Sequence, residues 1–233
     1  MFRKKKIVCL VTARSKSKGL KNKNIKKINN LSLIEHSIIS GKKSEYIDEV
    51  YISTDSIRYA KLAKKRGAIV PFIRSKSLSG DNVLSMKVVF NFLSFLKKKN
   101  INYDYLVLLE PTSPMTSNKD IDKGIKMLLN DNKFDSLVGI SQLIKYDLKS
   151  IFSIDRFSKI NNINNKINNN FDRKKNKKIY FLDGSIYISK IDKLFSNKGF
   201  IGKNTKGMIF PYHKSFELDN KEDLKIIKTL FKK

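Results

Sequence analysis

The sequence of 233 residues contains a single cysteine, so no disulfide can form within the chain. That cysteine, Cys9, lies in an apolar run, where we expect a small buried hydrophobic side chain rather than a reactive thiol. Histidine is also scarce, because His36 and His213 are far apart and have no partners at metal-ligand spacing. These shortages exclude a disulfide scaffold and a zinc-finger type of metal site.

Long apolar runs are missing as well. A membrane-spanning helix needs about 20 apolar residues, and the apolar run after the basic N-terminus is too short for a signal peptide. We therefore expect a soluble, cytoplasmic protein without a membrane partner. The hydrophobic content of 40% is enough for one substantial core, which predicts a single domain over residues 1–233.

Acidic residues are few, since 21 Asp and Glu accompany 49 Lys and Arg, for a formal net charge of +28. Such a surplus is typical of nucleic-acid-binding proteins. However, the lysines are spread over the whole chain together with many Asn and Ile, all encoded by AT-rich codons. No recognition-helix or RNP pattern accompanies them. We interpret the charge as compositional bias and expect no specific nucleic-acid partner.

Short apolar runs alternate with helical periodicity along the chain. Runs rich in β-branched and aromatic residues predict strands, and apolar residues three and four positions apart predict helices. The strands are predicted at 6–12, 49–54, 105–110, 136–141 and 184–189, and the helices at 31–44, 56–66, 83–98 and 118–131. This order predicts an α/β protein with a mostly parallel sheet flanked by helices on both faces.

Polar segments follow three of the predicted strands. They are the basic loop 13–24, Ser-Thr-Asp at 53–55 and Glu-Pro-Thr-Ser-Pro at 110–114. Ligands of parallel sheets bind beyond the carboxyl ends of the strands. We therefore expect the three segments to share one pocket.

The basic loop has the composition of a phosphate site. Gly19 lets backbone N–H groups turn toward an anion, while Arg14 and Lys23 supply positive charge for phosphate oxygens. The loop has neither the P-loop spacing nor the G-x-G-x-x-G fingerprint. Taken alone, it is equally compatible with a solvated basic turn.

Two carboxylates near the C-terminus, Glu217 and Asp219, are two positions apart. On an extended segment they project to the same side, while Phe216 and Leu218 face inward. Such a pair can hold a Mg²⁺ ion that bridges phosphate oxygens. The alternative is an acidic cluster at the N-terminus of the final helix.

Several of these stretches together resemble the sugar-activating cytidylyltransferases. The first motif of that family is matched at Ala13, Arg14, Ser17, Lys18, Gly19, Leu20, Lys23 and Asn24. The stretches YISTD, GAIVPFIRSKSLSGDNVLS, YDYLVLLEPTSPM, DGSIYIS and SFELDNKEDL resemble the remaining motifs in order. The subgroup with the most similar motifs is that of the acylneuraminate cytidylyltransferases, or CMP-sialic acid synthetases, which are related to the CMP-Kdo synthetases.

The resemblance implies a Rossmann-like nucleotidyltransferase fold. It also implies transfer of CMP from CTP to the anomeric hydroxyl of a sialic-acid-like, nine-carbon α-keto sugar acid, with release of pyrophosphate and Mg²⁺ or Mn²⁺ as cofactor. One alternative is another sugar acid, such as a legionaminic, pseudaminic or Kdo-like acid, or another NTP. Another is a basic nucleic-acid-binding protein on a degenerate transferase scaffold.

The resemblance assigns roles to individual positions. The triphosphate would be held by Arg14, Lys18 and Lys23, and the nucleoside by Asn24, Arg74 and Ser85. The sugar acid would be contacted by Glu110, Ser113, Lys149 and Arg173, and the metal ion by Asp219 and Glu217. Glu110 replaces the usual glutamine of the family, which could shift the substrate, and Glu217 replaces its usual aspartate.

The segment 161–178 is rich in Asn and Lys and low in apolar residues, so composition alone allows a disordered insertion. The resemblance implies instead that residues approximately 143–182 form a dimerisation and sugar-binding insertion. Through it, Lys149 and Arg173 could act in the partner's active site. We therefore expect a homodimer.

Overall fold

The computed structural model describes residues 4–17, 19–144, 151–154, 156, 158–162 and 178–232. The strands are β1 (Ile7–Thr12), β2 (Lys27–Ile28), β3 (Leu31–Ser32), β4 (Glu49–Ser53), β5 (Tyr105–Leu109), β6 (Ser136–Gln142), β7 (Phe152–Ile154), β8 (Ile160–Asn162), β9 (Tyr180–Lys190) and β10 (Thr205–Phe210). The α-helices are α1 (Leu33–Lys42), α2 (Ile57–Lys65), α3 (Ser85–Lys98), α4 (Asn118–Leu129), α5 (Ile191–Ser196) and α6 (Lys221–Leu230).

The central sheet has six strands in the order β10-β6-β9-β5-β1-β4. Parallel pairing joins β4 to β1, β1 to β5 and β6 to β10. Strand β9 is antiparallel to both of its neighbours, β5 and β6. The predicted mostly parallel sheet is therefore confirmed, with one antiparallel strand inside it. The β7-β8 pair, which belongs to the predicted insertion, is a separate antiparallel hairpin.

Strand β1 is buried on both faces because helices cover both sides of the sheet. Cys9 and its neighbours two positions away, Ile7 and Val11, pack with residues of α1, α2 and α4. Val8 and Leu10 pack on the other side with α3. Cys9 is fully buried, and this burial raises the pKa of its thiol, as expected for an unreactive hydrophobic side chain.

The five predicted strands and four predicted helices are present, with differences at their ends. Strand β9 begins at Tyr180 rather than at 184. Strand β10 is absent from the sequence-based prediction because Lys206 and Gly207 interrupt its apolar pattern; pairing with β6 stabilises it. In the described part of the chain, no helix has the length and apolar character needed to cross a bilayer.

A third apolar cluster ties the C-terminal segment to the loop after β1. Leu20, Leu33 and Leu218 are buried there with Ile28 and with Ile227 of α6. The backbone N–H of Leu218 also donates to the carbonyl of Thr112 at 2.8 Å, just after β5. This packing brings residues 216–219 to the carboxyl ends of β1 and β5.

Candidate active site

A pocket of about 270 Å³ opens at the carboxyl ends of β1 and β5. Its walls come from the loop after β1, the segment that leads into α3, the residues after β5 and the segment before α6. The sequence-predicted site residues that line it are Arg14, Lys23, Asn24, Arg74, Ser85, Glu110, Glu217 and Asp219. Residues that are far apart in sequence therefore meet in one place.

Among the described residues, the sequence-predicted site residue Ser113 does not line this pocket. Ser113 is buried beside it, and its hydroxyl has no hydrogen-bond partner among the described residues. Lys18, Lys149 and Arg173 lie outside the described residues. Their predicted roles therefore stay predictions.

The expectation that residues 53–55 line the pocket is wrong. These residues support the basic loop from behind, since the N–H of Ala13 donates to the carbonyl of Ser53 at 3.0 Å. The N–H of Ser15 donates to Asp55 Oδ1 at 2.7 Å, and its hydroxyl donates to Oδ2 at 2.8 Å. The Ser-Thr-Asp segment thus fixes the loop instead of facing a ligand.

The basic side of the pocket is formed by the loop after β1. Lys23 Nζ lies 2.8 Å from Asp219 Oδ1, and Arg14 Nη1 lies 2.5 Å from Asp81 Oδ1. Buried Asn24 donates from its side chain to the carbonyl of Arg14 at 2.9 Å. A Cβ atom on Gly19 would lie 2.7 Å from the carbonyl oxygen of Asp219, so this close approach requires glycine.

Arg74 and Ser85 form the wall next to this loop. Arg74 is buried, with its backbone N–H donating to the carbonyl of Thr54 at 2.8 Å and its Nε donating to Ser79 Oγ at 3.2 Å. Ser85 is the first residue of α3, whose N-cap is Leu84. Ser85 is therefore not the N-cap of the helix, and its side chain acts on the carboxyl of Glu110, where it partly offsets the burial that raises that pKa.

The segment before α6 adds carboxylates to the pocket, next to Lys23, and we call this part its acidic side. Glu217 and Asp219 both line it while Leu218 between them is fully buried, so the two carboxylates share one side as predicted. Asn220 is the N-cap of α6 and accepts from the N–H of Asp223 at 2.9 Å. The helix-capping alternative therefore applies to Asn220 and Asp223 rather than to the carboxylate pair.

Glu217 projects deep into this acidic side. Gly184 has φ 66°, and any Cβ there would collide with Glu217 Oε1. Burial, followed by the negative charges of Glu110 and Asp219, raises the pKa of Glu217 to about 7. Burial likewise raises the pKa of Glu110. The negative charges of these carboxylates are therefore only partly compensated by positive charges and hydrogen-bond donors of the protein.

Several residues of this environment were missed by sequence reasoning. Buried Asp183 accepts from Ser141 Oγ at 2.7 Å and from the N–H of Ser185 at 3.1 Å. Burial, then the charges of Glu110, Glu217 and Asp183, raises the pKa of Tyr187. Asp81, which pairs with Arg14, sits in a polar Ser-Gly-Asp-Asn turn before α3. The stretch GAIVPFIRSKSLSGDNVLS, which contains Asp81, resembles a family motif, but no role was predicted for Asp81 itself.

The carboxylate pair fits a magnesium site whose remaining ligands are substrate phosphates and water. The described residues contain no group of three or more His, Cys, Asp or Glu side chains able to hold a metal ion by themselves. Mg²⁺, however, is commonly bound by one or two carboxylates together with substrate phosphates and water. A cation would also stabilise the charged form of Glu217, whose pKa is raised first by burial and then by the charges of Glu110 and Asp219.

The fold and the pocket define the class of protein. The structure is similar to that of CMP:2-keto-3-deoxy-manno-octonic acid synthetase complexed with CTP, with a TM-score of 0.67 and 14% identity over 97% of this chain and 98% of the other. At this identity the likeness concerns the fold, which is that of the Rossmann-like nucleotidyltransferases.

Sequence comparison then gives the family. The family model described as "Cytidylyltransferase" matches residues 8–231, so the chain belongs to the cytidylyltransferase family and is a nucleotidyltransferase. It is 34% identical to the post-translational flagellin modification protein B of Campylobacter coli, over 97% of this chain and 95% of that protein. It is 32% identical to the CMP-N,N'-diacetyllegionaminic acid synthase of Campylobacter jejuni, over 96% of this chain and 94% of the relative.

Proposed function

We propose that the protein transfers CMP from CTP to the anomeric hydroxyl of a sialic-acid-like, nine-carbon α-keto sugar acid and releases pyrophosphate. The observation that carries the proposal is the pocket of a cytidylyltransferase-family chain that Arg14 and Lys23 line together with Glu217 and Asp219. The name of the Campylobacter jejuni relative, a CMP–sugar acid synthase, supports a sugar acid as acceptor. Within this class, legionaminic, pseudaminic and Kdo-like acids are the alternative acceptors.

The basic side supplies the contacts to the triphosphate. Arg14 and Lys23 donate charge-assisted hydrogen bonds to phosphate oxygens and stabilise the negative charge that develops as the sugar oxygen attacks the α-phosphorus. As that bond forms, the bond from the α-phosphorus to the pyrophosphate oxygen breaks. Asn24 holds the loop through the Arg14 carbonyl, and Arg74 with Ser85 contacts the nucleoside.

Asp219 and Glu217 are the residues that would hold Mg²⁺, with Mn²⁺ as a substitute. The bound ion supplies neutralisation of phosphate charge. Asp219 also pairs with Lys23 at 2.8 Å, which keeps the metal-binding carboxylate beside the phosphate-binding lysine. Both groups are thereby positioned around the same phosphate oxygens before the substrate binds.

In this proposal the sugar acid binds on the β9 side of the pocket, next to Glu110 and Ser113.

We also propose that the single domain, 1–233, carries an insertion at approximately 143–182. This insertion makes a homodimer and brings Lys149 and Arg173 to a sugar site. In the β7-β8 hairpin of this insertion, Phe152, Ile154 and Ile160 are 43%, 69% and 62% exposed. A cluster of exposed apolar side chains is typical of a surface that binds another protein chain.

Sedimentation velocity tests the proposed dimer independently of the proposed reaction. The wild-type chain should sediment as a dimer, and Ile154→Lys should shift it toward the monomer because a charge would be buried in the apolar contact. The matched control is Ile57→Lys, an equally apolar and exposed position on α2. A monomeric wild-type protein would contradict the dimer.

The proposed reaction is tested by pyrophosphate release with the four NTPs and a panel of eight- and nine-carbon sugar acids. We expect release with CTP and a nine-carbon acid, and little with ATP, GTP or UTP. Arg14→Ala should remove the activity, whereas Arg58→Ala, an exposed arginine on α2, should leave it intact. No release with CTP and any sugar acid would overturn the proposal.

A further inference from the structure

A second cavity, of about 580 Å³, lies between α2, the β2-β3 hairpin and the start of α1. It shares no lining residue with the active-site pocket, whose volume is about 270 Å³. Small-molecule sites in proteins usually have volumes of about 300–1,000 Å³. The second cavity therefore has room for a ligand of its own.

One part of this cavity is apolar. Ile25, Ile57 and Leu62 line it. Ile57 is the first residue of α2 and is 63% exposed, while Ile25 and Leu62 are half-buried. Covering these side chains removes apolar surface from water, which is favourable. The cavity thus offers an apolar surface to the body of a ligand.

The rest of the lining carries positive charge. Lys27 comes from β2, whereas Lys61 and Lys65 are four residues apart on α2 and therefore lie on the same face of that helix. All three lysines are exposed, and none of them forms an ion pair with another described residue. Their charges are available to a ligand.

Among the described residues, Glu35 is the only carboxylate in the lining, and the protein already compensates it. Its Oε1 accepts from Arg66 Nε at 2.7 Å. Its Oε2 accepts from the N–H of Ser32 at 2.8 Å and from the Ser32 hydroxyl at 2.7 Å. Glu35 therefore does not neutralise the lysines of the cavity.

The charge and the apolar surface together indicate the chemistry of the ligand. Several lysines without acidic partners favour a group that carries more than one negative charge, and a phosphate monoester carries about −1.5 to −2 at pH 7. The apolar residues favour a body without polar groups. No aromatic side chain of the described residues lines the cavity, so nothing there offers a stacking surface to a nucleobase.

The cavity adjoins the active-site pocket through the short helical turn Lys23–Ile25. The first two residues of that turn line the active-site pocket, whereas Ile25 lines the second cavity. At another wall, Ile57 lies two residues after Asp55, which accepts two hydrogen bonds from Ser15 of the basic loop. A ligand here would therefore contact two segments that hold the basic loop in place.

We infer that the second cavity is a regulatory site for a soluble phosphate monoester with an apolar body. The lysines bind the phosphate group, and the apolar side chains contact the body of the ligand. Because the ligand contacts both supports of the basic loop, it stabilises the loop arrangement that binds the triphosphate. Ligand and CTP therefore tighten each other's binding by the same factor. This coupling rests on the proposed function, whereas the site itself does not.

Calorimetric titration with octyl phosphate as the probe tests the site without using the enzymatic reaction. Inorganic phosphate and octyl glucoside test the two halves of the probe separately. The variants are Lys61→Gln and Lys65→Gln, and the matched control is Lys64→Gln, which is exposed on the same helix but does not line the cavity. All three remove the same charge. Arg14→Ala tests whether the probe enters the active-site pocket instead.

We expect the wild type to bind octyl phosphate about tenfold or more tightly than inorganic phosphate or octyl glucoside, since both halves of the probe contribute. Lys61→Gln and Lys65→Gln should each weaken this binding by about threefold to tenfold, whereas Lys64→Gln and Arg14→Ala should keep the affinity of the wild type. Saturating CTP with Mg²⁺ should tighten binding of the probe by about threefold or more.

A lipid headgroup is the other source of a phosphate monoester. Vesicles of phosphatidic acid and phosphatidylcholine present that group in a bilayer, and their cosedimentation with Lys61→Gln and with Lys64→Gln is compared. We expect no difference between the two variants, because only the overall charge acts on a bilayer surface. A loss confined to Lys61→Gln would assign the cavity to a membrane lipid and overturn the soluble ligand.

Four titration results would also overturn the inference. They are absence of octyl phosphate binding, a loss in Lys64→Gln equal to that in Lys61→Gln, a comparable loss in Arg14→Ala, and a probe affinity that bound CTP leaves unchanged. Each of them leaves the proposed function standing. Absence of CTP binding, or of pyrophosphate release with CTP and any sugar acid, would instead count against the proposed function.

Discussion

The two sides of the pocket differ in how their charges are compensated. On the basic side, Arg14 is paired with Asp81 at 2.5 Å and Lys23 with Asp219 at 2.8 Å. On the acidic side, Glu110 and Glu217 are half-buried, the charge of Glu110 acts on Glu217, and the pKa of each carboxyl is raised, first by burial. The protein thus holds the basic side in place by itself, whereas the acidic side depends on bound cations and donors.

This difference indicates a division of tasks. A preformed basic side suits the invariant part of the reaction, the triphosphate, because fixed donors cost no reorganisation when charge develops. An undercompensated acidic side favours ligands that bring positive charge, such as the proposed metal ion. Substitutions on the two sides should therefore have different consequences.

The largest expected effect comes from the metal site. EDTA should abolish pyrophosphate release, and Mg²⁺ or Mn²⁺ should restore it, because the phosphate charge is otherwise not neutralised. Asp219→Asn should raise the metal concentration needed for half-maximal activity much more than Glu222→Gln, whose side chain lies on α6. A metal titration of the two variants is the measurement. Equal effects would favour a helix-terminus role for the acidic residues.

On the basic side, Lys23→Ala should lower kcat/KM for CTP by about 10²-fold, through loss of a charge-assisted contact to the reacting phosphates. Lys21→Ala is the matched control, since Lys21 is exposed on the same loop and does not line the pocket. Initial rates over a CTP series give the comparison. If both variants lost activity equally, the overall positive charge would matter rather than this lysine.

On the acidic side, the raised pKa of Glu217 predicts a pH-dependent stability. A carboxyl group whose pKa is about 7 in the folded state, against an ordinary 4.5, stabilises the folded state below pH 4.5, and this contribution is lost as the pH rises through 7. Without metal, Glu217→Gln should therefore raise Tm by about 2–4 °C at pH 8 and much less at pH 5. Thermal melts in EDTA measure this, with Glu222→Gln as control. A lower Tm at pH 8 would contradict the electrostatic account.

The smallest expected effect concerns the lysines outside the pocket. If the net charge of +28 reflects compositional bias, nucleic acid should bind weakly, without sequence preference, and dissociate between low and physiological salt. CTP binding, which depends on a few fixed contacts, should persist. Fluorescence anisotropy with labelled single strands and duplexes measures nucleic-acid binding at low and at physiological salt. A tight, sequence-selective complex at physiological salt would favour the nucleic-acid alternative.

Local patterns were sufficient to predict most of the fold, whereas Asn24, Arg74 and Ser85 were assigned to the site only through the family resemblance. β1 and β5 are apolar throughout, and the helices carry clear periodicity, so these elements depend little on distant partners. The loop after β1 and the Glu217–Asp219 pair were recognisable by residue type and spacing. The catalytic and binding roles of these residues stay predictions.

Other features depend on contacts between segments that are distant in sequence, so the local sequence could not predict them. β10 depends on pairing with β6, and the support of the basic loop by Asp55 depends on the parallel pairing of β1 with β4. Nothing in the sequence shows that Glu217 fills the space above Gly184. The pairing of Arg14 with Asp81 likewise appears only when the turn before α3 folds over the loop.

The division between the two sides is tested most directly by calorimetric titration of CTP, with Mg²⁺ present, into wild type, Arg14→Ala and Glu110→Gln. We predict that Arg14→Ala weakens CTP binding by about tenfold or more, because a charged donor to the phosphates is lost. Glu110→Gln should keep the Kd within about twofold of the wild type, because we propose that Glu110 contacts the acceptor rather than CTP. Unchanged binding in Arg14→Ala, or an equal loss in both variants, would contradict the account.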